Sequence, residues 1–310
     1  MDMSQVHPDL RDALEARPAF DLAAEVLLAR RDPPPPSAPA DAPVRVEDLV
    51  VPGPAGAPPV GVRLYAPAAS GPSPRPGLLW IHGGGYVLGS AYAEDTLGPY
   101  LSLTADCVVV SVDYRLAPEH PFPAGLEDCY AALRWLADAA PGVDRDRLGV
   151  AGMSAGGGLA AALALLARDR GGPALAFQMP ICPMIDDRGL TPSSRFDDPR
   201  VWNGEANRAA WAMYLGDLGG GEVSAYAAPA RAQDLGGLPP AYISVGALDP
   251  FRDEDVEYAR RLAEAGVPTE LHLFPGCFHG FEGVPSAPVA ARARAEYAEV
   301  LRRGLWDPRD

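Results

Sequence analysis

Two hydrophobic patterns alternate along most of this chain. From about residue 77 onward, short continuous apolar runs are separated by segments in which apolar residues recur every three or four positions. Strands buried on both faces give the first pattern and helices give the second, and their alternation is typical of right-handed βαβ units in a mostly parallel sheet. The pattern predicts strands at 77–82, 107–113, 147–152, 174–182, 240–247 and 270–274, and helices at 91–104, 124–139, 155–168, 252–265 and 287–304.

Two more strands are predicted ahead of this region, at 44–51 and 60–66, because apolar and polar residues alternate there. Residues 44–310 are therefore expected to form one α/β domain. Its sheet has eight mostly parallel strands and is flanked by helices.

Two segments do not follow this alternation. Residues 1–43 show helical periodicity at 8–17 and 19–31 and then a proline-rich connector at 32–43, whose prolines cannot continue a helix. The apolar faces of these helices would be left in water on a free tail, so we expect them to pack on the rest of the protein. Residues 185–230 are predicted to be an irregular, aromatic-bearing insertion, which at this length is more often a lid or binding wall than a spacer.

The composition is that of a globular protein with a sizeable core, with 48% hydrophobic and 22% charged residues. The 41 acidic and 26 basic residues leave a net charge of -15. A surface this acidic repels phosphate backbones and anionic lipid, so neither nucleic acid nor membrane is an expected partner. Charges near the N-terminus argue against a signal peptide, and no apolar stretch is long enough to span a bilayer. We therefore expect a soluble, cytoplasmic protein.

The four cysteines, Cys107, Cys129, Cys182 and Cys277, are scattered along the chain. None lies at metal-ligand spacing with another cysteine or with a histidine. We therefore expect no disulfide framework, no metal and no cofactor.

Residues 152–156, GMSAG, match the pattern G-x-S-x-G. In that motif a very tight turn between a strand and a helix exposes the serine hydroxyl, and only small residues fit beside it. The pentapeptide alone is a modest signal in a chain with 33 glycines. Its position between a predicted strand and a predicted helix makes Ser154 the candidate nucleophile.

A second motif follows another buried strand, where His82 is succeeded by Gly83, Gly84 and Gly85. Glycines let a loop bring its amides close to a substrate, and such amides can stabilise the oxyanion of a tetrahedral acyl intermediate. The alternative is a tight turn that needs glycine for its shape alone. Either Gly83 and Gly84 or Gly84 and Gly85 could supply the two amides.

A serine nucleophile needs a base and an orienting acid, which follow it in the order acid, then histidine, in α/β-hydrolases. Only His272 and His279 come after Ser154. His279 lies in a glycine-bearing loop and is our candidate base, whereas His272 lies inside an alternating strand and remains the alternative.

Asp249 directly follows a predicted strand, where an α/β sheet presents its site, and is the candidate acid. Asp253, Glu254 and Asp255 compete with it. Acidic residues in the first turn of a helix are, however, already explained by the helix dipole.

These motifs occur together in one order: HGGG at 82–85, DYRLAPEHPFPA at 113–124, GMSAGG at 152–157, LDPFRD at 248–253 and FHGF at 278–281. From about residue 45 to its C-terminus the chain resembles the hormone-sensitive-lipase-like bacterial esterases (family IV) of the α/β-hydrolase superfamily. The resemblance implies an α/β-hydrolase fold with a helical cap, made from the N-terminal helices and the insertion after the sixth strand.

The resemblance also implies roles for individual residues. Ser154, Asp249 and His279 would form the triad, and the glycine loop with the Ala155 amide would form the oxyanion hole. Met153 departs from the family, which usually has Asp or Thr before the serine. Bracing of the glycine loop is implied for Asp113, Tyr114, Arg115 and Glu119.

The expected function is that of a serine carboxylesterase, which hydrolyses short- to medium-chain acyl esters of small molecules through an acyl-enzyme intermediate. The alternatives are an amidase, lactonase or carbamate hydrolase with the same triad, or a non-catalytic small-molecule receptor on this fold. A homodimer is possible. Candidate pocket residues, which could equally form a core within the insertion, are Tyr86, Met153, Phe196, Trp202, Trp211 and Tyr214.

Overall fold

The structure is a computed structural model that describes residues 1–31, 43–68, 71, 73–94, 96–219 and 221–307, without the side chains of 27–31, 93 and 94. Most of the predicted proline-rich connector, residues 32–42, lies outside the described residues. Among the described residues, no helix combines the length and the apolar character needed to cross a bilayer.

One eight-stranded sheet runs through the molecule in the order β1-β2-β4-β3-β5-β6-β7-β8. Strand β2 is antiparallel to both of its neighbours, and the pairs from β4 to β8 are parallel. This confirms the predicted fold class. The strands are β1 Val44–Val51, β2 Val60–Pro67, β3 Arg75–Ile81, β4 Val108–Asp113, β5 Val143–Met153, β6 Phe177–Ile181, β7 Ala241–Leu248 and β8 Thr269–Phe278.

Helices cover both faces of the sheet. Buried side chains of α4 and α5 pack on one face and those of α3 and α8 on the other, so the strands between them are apolar on both sides. The described helices are α1 Arg11–Glu15, α2 Leu22–Arg31, α3 Leu97–Thr104, α4 Ala124–Asp138, α5 Ala155–Arg170, α6 Gly204–Leu215, α7 Arg252–Glu264 and α8 Pro288–Trp306.

Two predicted elements are corrected by the structure. The single helix expected at 91–104 is a short 3-10 turn, Ala91–Glu94, followed by α3. Pro99 has no N–H and is tolerated only in the first turn of a helix, so α3 begins just before it. The insertion at 185–230 is not wholly irregular, because it contains α6, whose first amides are capped by the Asn203 side chain.

The first twenty residues are packed on the carboxyl end of β8 and the start of α8. The His7 amide donates to the Gly276 carbonyl at 2.8 Å, and the Val289 amide donates to the Asp9 carboxylate at 3.1 Å. Leu10 and Leu14 are fully buried. This segment is therefore part of the folded body beside the carboxyl edge of the sheet.

Candidate active site

Ser154 lies in a sharp turn between β5 and α5. Its φ of +58° is one that residues other than glycine rarely adopt. The turn is held by hydrogen bonds from the Ser154 amide to the Ile181 carbonyl, at 2.8 Å, and from the Met184 amide to the Ser154 carbonyl, at 3.0 Å. Gly156 is required because a Cβ there would lie 2.0 Å from the Ile81 carbonyl oxygen. The tight packing of α5 on β3 thus places the serine hydroxyl at the carboxyl edge of the sheet.

A continuous chain of hydrogen bonds joins this serine to a histidine and an aspartate. His279 Nε2 is 2.9 Å from Ser154 Oγ, and His279 Nδ1 is 2.7 Å from Asp249 Oδ2. The other Asp249 oxygen accepts the Phe251 amide at 2.9 Å, which fixes the carboxylate. With Nδ1–H donated to Asp249, Nε2 is left to accept the serine proton. The structure therefore brings the three predicted residues together from loops after β5, β7 and β8.

The charge on His279 is set by opposing effects. Burial alone would lower the pKa of His279, but the Asp249 carboxylate and its hydrogen bond more than offset this, so the pKa is raised. Glu282 adds to the rise, and Arg17 acts against it. The imidazole is thus a better base than a buried histidine would otherwise be.

Three of the four competing residues are hydrogen-bonded elsewhere, and both oxygens of the fourth, Asp255, have no partner among the described residues. Asp253 accepts the Ser193 amide at 2.8 Å, and Glu254 accepts the Ile185 amide at 3.0 Å. Burial raises the pKa of both Glu254 and Asp255 well above the usual value. His272 Nδ1 is bonded to Glu296 on α8. None of these side chains bonds to Ser154 among the described contacts.

The glycine loop follows β3 and lies against the serine turn. A Cβ on Gly83 would be 3.0 Å from the Met153 carbonyl oxygen and 3.5 Å from Ser154 Cβ, so only glycine lets the loop approach this closely. In the described part of the chain, the amides of Gly83, Gly84 and Gly85 donate no hydrogen bond. Ala155 N–H lies in the first turn of α5, where amides have no partner within the helix. Backbone amides without a described partner therefore lie in the glycine loop, which approaches the serine turn at Gly83.

One neighbour of the loop braces it directly. The Tyr114 hydroxyl donates to the His82 carbonyl at 3.1 Å, and the two rings stack at 4.3 Å. The Asp113 carboxylate instead accepts the Ala91 amide at 3.2 Å, and Arg115 pairs with Asp128 on α4 at 2.8 Å.

Trp202 is the candidate pocket residue that contacts the triad. Its ring centroid is 6.4 Å from that of His279, and a Cβ on Gly85 would lie 2.3 Å from the indole. Its other side faces Phe20 of the N-terminal segment at 5.8 Å. Trp202 therefore joins the insertion, the N-terminal segment and the catalytic residues.

The other aromatic candidates for the pocket are divided between two places. Tyr86, Trp211 and Tyr214 are almost fully buried, and Tyr86 stacks on Tyr214 with ring centroids 3.9 Å apart. They form a core between α6 and the glycine loop. Phe196 is half-buried beneath the Arg252 guanidinium, at 5.4 Å.

Met153 precedes Ser154 and packs, partly buried, against the cluster that contains Leu10 and Leu14. The residue that departs from the family pattern thus makes an apolar contact with the core cluster to which the N-terminal segment contributes.

Sequence reasoning missed two charged residues near the triad. Glu282 is buried three positions after His279, and its closeness in sequence was the available signal. Arg17 influences His279 from the opposite end of the chain, and no sequence signal pointed to it. A third neighbour, Cys182, has its sulfur within 4.8 Å of ligand atoms of Asp249 and His279. Both nitrogens of that histidine are already hydrogen-bonded, so we interpret the group as the surroundings of the triad rather than a metal site.

Comparisons with known proteins identify a family and several similar esterases. A family model described as the alpha/beta hydrolase fold matches residues 78–283. Esterase LipI of Mycobacterium tuberculosis is 40% identical over 95% of this chain and 90% of its own length. Ethyl acetate hydrolase of Pseudomonas putida is 36% identical over 71% of this chain and 70% of its own length. Among solved structures, a bacterial heroin esterase superimposes with a TM-score of 0.92, at 41% identity over 98% of this chain and 99% of that one. Esterase LipW from Mycobacterium marinum gives 0.87 at 39% identity, with 98% of each chain covered.

Proposed function

Because the chain belongs to the α/β-hydrolase family, we propose that it hydrolyses carboxylic esters of small molecules and that Ser154 is its nucleophile. The observation that carries this proposal is the unbroken hydrogen-bond path from Asp249 through His279 to Ser154. A serine hydroxyl becomes a competent nucleophile when such a base stands within hydrogen-bond reach.

The reaction begins when Ser154 Oγ attacks the ester carbonyl carbon while its proton moves to His279 Nε2. The carbonyl oxygen becomes an oxyanion, which we expect the amides of the glycine loop and Ala155 to stabilise. As the C–O bond to the alcohol breaks, His279 returns the proton to the leaving oxygen, and an acyl-serine ester remains. Water, activated by the same imidazole, then releases the acid and regenerates the serine.

Asp249 serves this cycle in two ways. It holds the imidazole with its hydrogen on Nδ1, and it stabilises the imidazolium that forms when the serine proton is taken. Its own second hydrogen bond, from the Phe251 amide, keeps the carboxylate from turning away.

We expect a small substrate because the catalytic side chains are largely buried. Ser154 is only 7% exposed and the His279 side chain 10%. We assign the closure to a cap formed by residues 1–31 and 185–230, and Trp202 and Phe20 are its contact at the triad. This favours esters with short to medium acyl chains. Amides, lactones and carbamates present the same carbonyl chemistry and are tested as competing substrates.

Replacement of the nucleophile tests the proposal. In Ser154→Ala, hydrolysis of p-nitrophenyl acetate and butyrate should fall to less than about a thousandth of the parent rate. Ser286→Ala, at an exposed serine, is the matched control. A fluorophosphonate should label the parent on the peptide that contains Ser154, as read by mass spectrometry. Retention of ester hydrolysis by Ser154→Ala would rule out this nucleophile, and faster cleavage of p-nitroacetanilide than of p-nitrophenyl acetate would favour an amidase.

A further inference from the structure

Arg17 is a partly buried arginine that pairs with no carboxylate among the described residues. Among the described arginines that are at least partly buried, it is the one with neither an ion pair nor a side-chain hydrogen bond. Desolvation lowers the pKa of Arg17, and no carboxylate counters this effect. A guanidinium normally stays charged, and its five N–H donors form hydrogen bonds with water or with an anion. This side chain gives up part of its water and receives no acceptor in return from the described residues.

The surroundings of Arg17 place it at the candidate active site. Its guanidinium carbon lies 4.9 Å from the centroid of the Phe278 ring, and Phe278 immediately precedes His279. Phe20, three residues further along the same segment, contacts Trp202, the residue packed on the triad histidine. The charge of Arg17 also opposes protonation of His279. Three separate contacts therefore locate residues 17–20 beside the catalytic base.

The backbone keeps Arg17 in this position. Its amide donates to the Leu14 carbonyl at 3.2 Å, and the Phe20 amide donates to the Pro199 carbonyl of the insertion at 2.6 Å. Pro18 restricts the chain between these two anchors. A cation held on a restrained segment loses little further freedom when it binds an anion.

We propose that Arg17 binds a carboxylate of the substrate, so that the enzyme prefers esters that carry a negative charge near the scissile carbonyl. This inference rests on the proposed esterase activity. A planar carboxylate can take two parallel N–H···O bonds from a guanidinium. The substrate carboxylate would supply the hydrogen-bond acceptors that Arg17 lacks among the described residues. The charge could lie on the acyl side, as in a half-ester of a dicarboxylic acid, or on the alcohol side, as in an acylated hydroxy acid.

The overall charge of the protein disfavours the binding of anionic substrates. With a net charge of -15, the molecule as a whole repels a negatively charged substrate. A preference for anionic esters would therefore have to come from a local cation at the site. Arg17 is the described cation next to the triad that is free to supply it.

The test compares esters that differ in one charge. On the acyl side, kcat/KM is measured for mono-p-nitrophenyl glutarate and for its neutral methyl ester. On the alcohol side, 4-acetoxybenzoate is compared with methyl 4-acetoxybenzoate. Each ratio of charged to neutral ester is obtained for the parent, Arg17→Gln, Arg17→Lys and the control Arg134→Gln. The control removes the same charge at an exposed position on α4.

The parent should favour the charged ester in one of the two pairs, which also identifies the side that bears the carboxylate. Arg17→Gln should lower that ratio about ten- to hundredfold, mainly through KM, as expected for loss of a charge-assisted hydrogen bond. Arg17→Lys should restore part of it, and Arg134→Gln should match the parent. Glutarate should also inhibit hydrolysis of the neutral ester by the parent competitively.

Equal ratios in the parent and Arg17→Gln, with both esters still hydrolysed in a Ser154-dependent manner, would overturn the role of Arg17 and leave the esterase proposal intact. Loss of folding in Arg17→Gln would not remove the test, because inhibition of the parent by glutarate and the ratio in Arg17→Lys still decide it. A parent that cleaves none of the four esters would instead contradict the proposed function.

Discussion

Glu282 should make the protein less stable as the pH rises from about 4.5 to about 7. It lies in the 3-10 turn Phe281–Gly283, immediately after the catalytic loop, and is 5% exposed. One oxygen accepts the Tyr297 hydroxyl at 3.0 Å, and the other has no partner among the described residues. Burial, helped by the nearby Asp249 charge, raises the pKa of Glu282 to about 7, although Tyr297 and His279 act in the opposite direction.

The sign and size of the effect follow from proton binding. The usual pKa of 4.5 applies in the unfolded chain and about 7 in the folded protein. Between these values the folded state binds more protons than the unfolded state, so the free energy of unfolding decreases as the pH rises. Each pKa unit is worth about 1.4 kcal/mol, which gives a loss of about 3 kcal/mol that is complete above about pH 7. Below pH 4.5 the loss is absent.

Glu282→Gln removes the ionisation and keeps the carbonyl that accepts the Tyr297 hydroxyl. Its buried amide adds a constant cost, but that cost is the same at every pH. Relative to the parent, the variant should therefore gain about 3 kcal/mol in free energy of unfolding between pH 4.5 and pH 8.5. Urea titrations followed by circular dichroism measure this difference at both pH values. Glu299→Gln, at an exposed position on α8, controls for the loss of one negative charge. A difference between variant and parent that does not change with pH would refute the reasoning.

Two further predictions concern the triad and the cap. Asp249→Asn should lower kcat about 10⁴-fold, because the imidazole is then held in the wrong tautomer. It should also move the acid limb of the pH–rate profile to lower pH, because the Asp249 charge that raises the pKa of His279 is gone. An unchanged acid limb would contradict that source of the shift. Deletion of residues 1–31 removes the buried side chains of Val6, Leu10 and Leu14, each worth about 1.5–3 kcal/mol, so it should lower the melting temperature. Because it also removes part of the proposed cap, it should weaken selectivity among acyl lengths. A truncated enzyme that matches the parent in both would show that the segment caps nothing.

The fold was predictable because its signal is local and repeated. A parallel strand covered by helices on both faces must be a continuous apolar run, and five such runs stand out between residues 77 and 247, followed by an alternating run at 270–274 that forms the half-exposed edge strand β8. The ends of the individual strands were harder to predict from the sequence. Strand β8 continues to Phe278, four residues past the predicted end at 274, because Gly276 adopts a φ of +68° that lets the chain bend and stay paired.

The candidate triad was predictable for a different reason. The nucleophile turn, the glycine loop and the residues at strand ends are each recognisable from a short contiguous sequence motif. The order of the triad along the chain then reduces the number of candidates for the acid and the histidine. The division of the aromatic residues was not accessible in this way. Trp202 reaches His279 while Trp211 and Tyr214 pack on Tyr86, and this depends on how the insertion folds back over the sheet.

The charges around His279 show what the long-range packing adds. Asp249 is the carboxylate bonded to the imidazole, while burial raises the pKa of both Glu254 and Asp255 and so disfavours their charged forms. If all of these acids were ionised, their mutual repulsion would act on the same buried region. Asp249 is the one of these acids that is hydrogen-bonded to the imidazole among the described residues, so it orients and stabilises the imidazolium. Arg17 approaches from the N-terminal segment with the opposite charge, so a substrate carboxylate bound there would reduce its opposition to proton transfer from Ser154. We therefore expect Arg17 to couple the binding of a substrate carboxylate to the strength of His279 as a base.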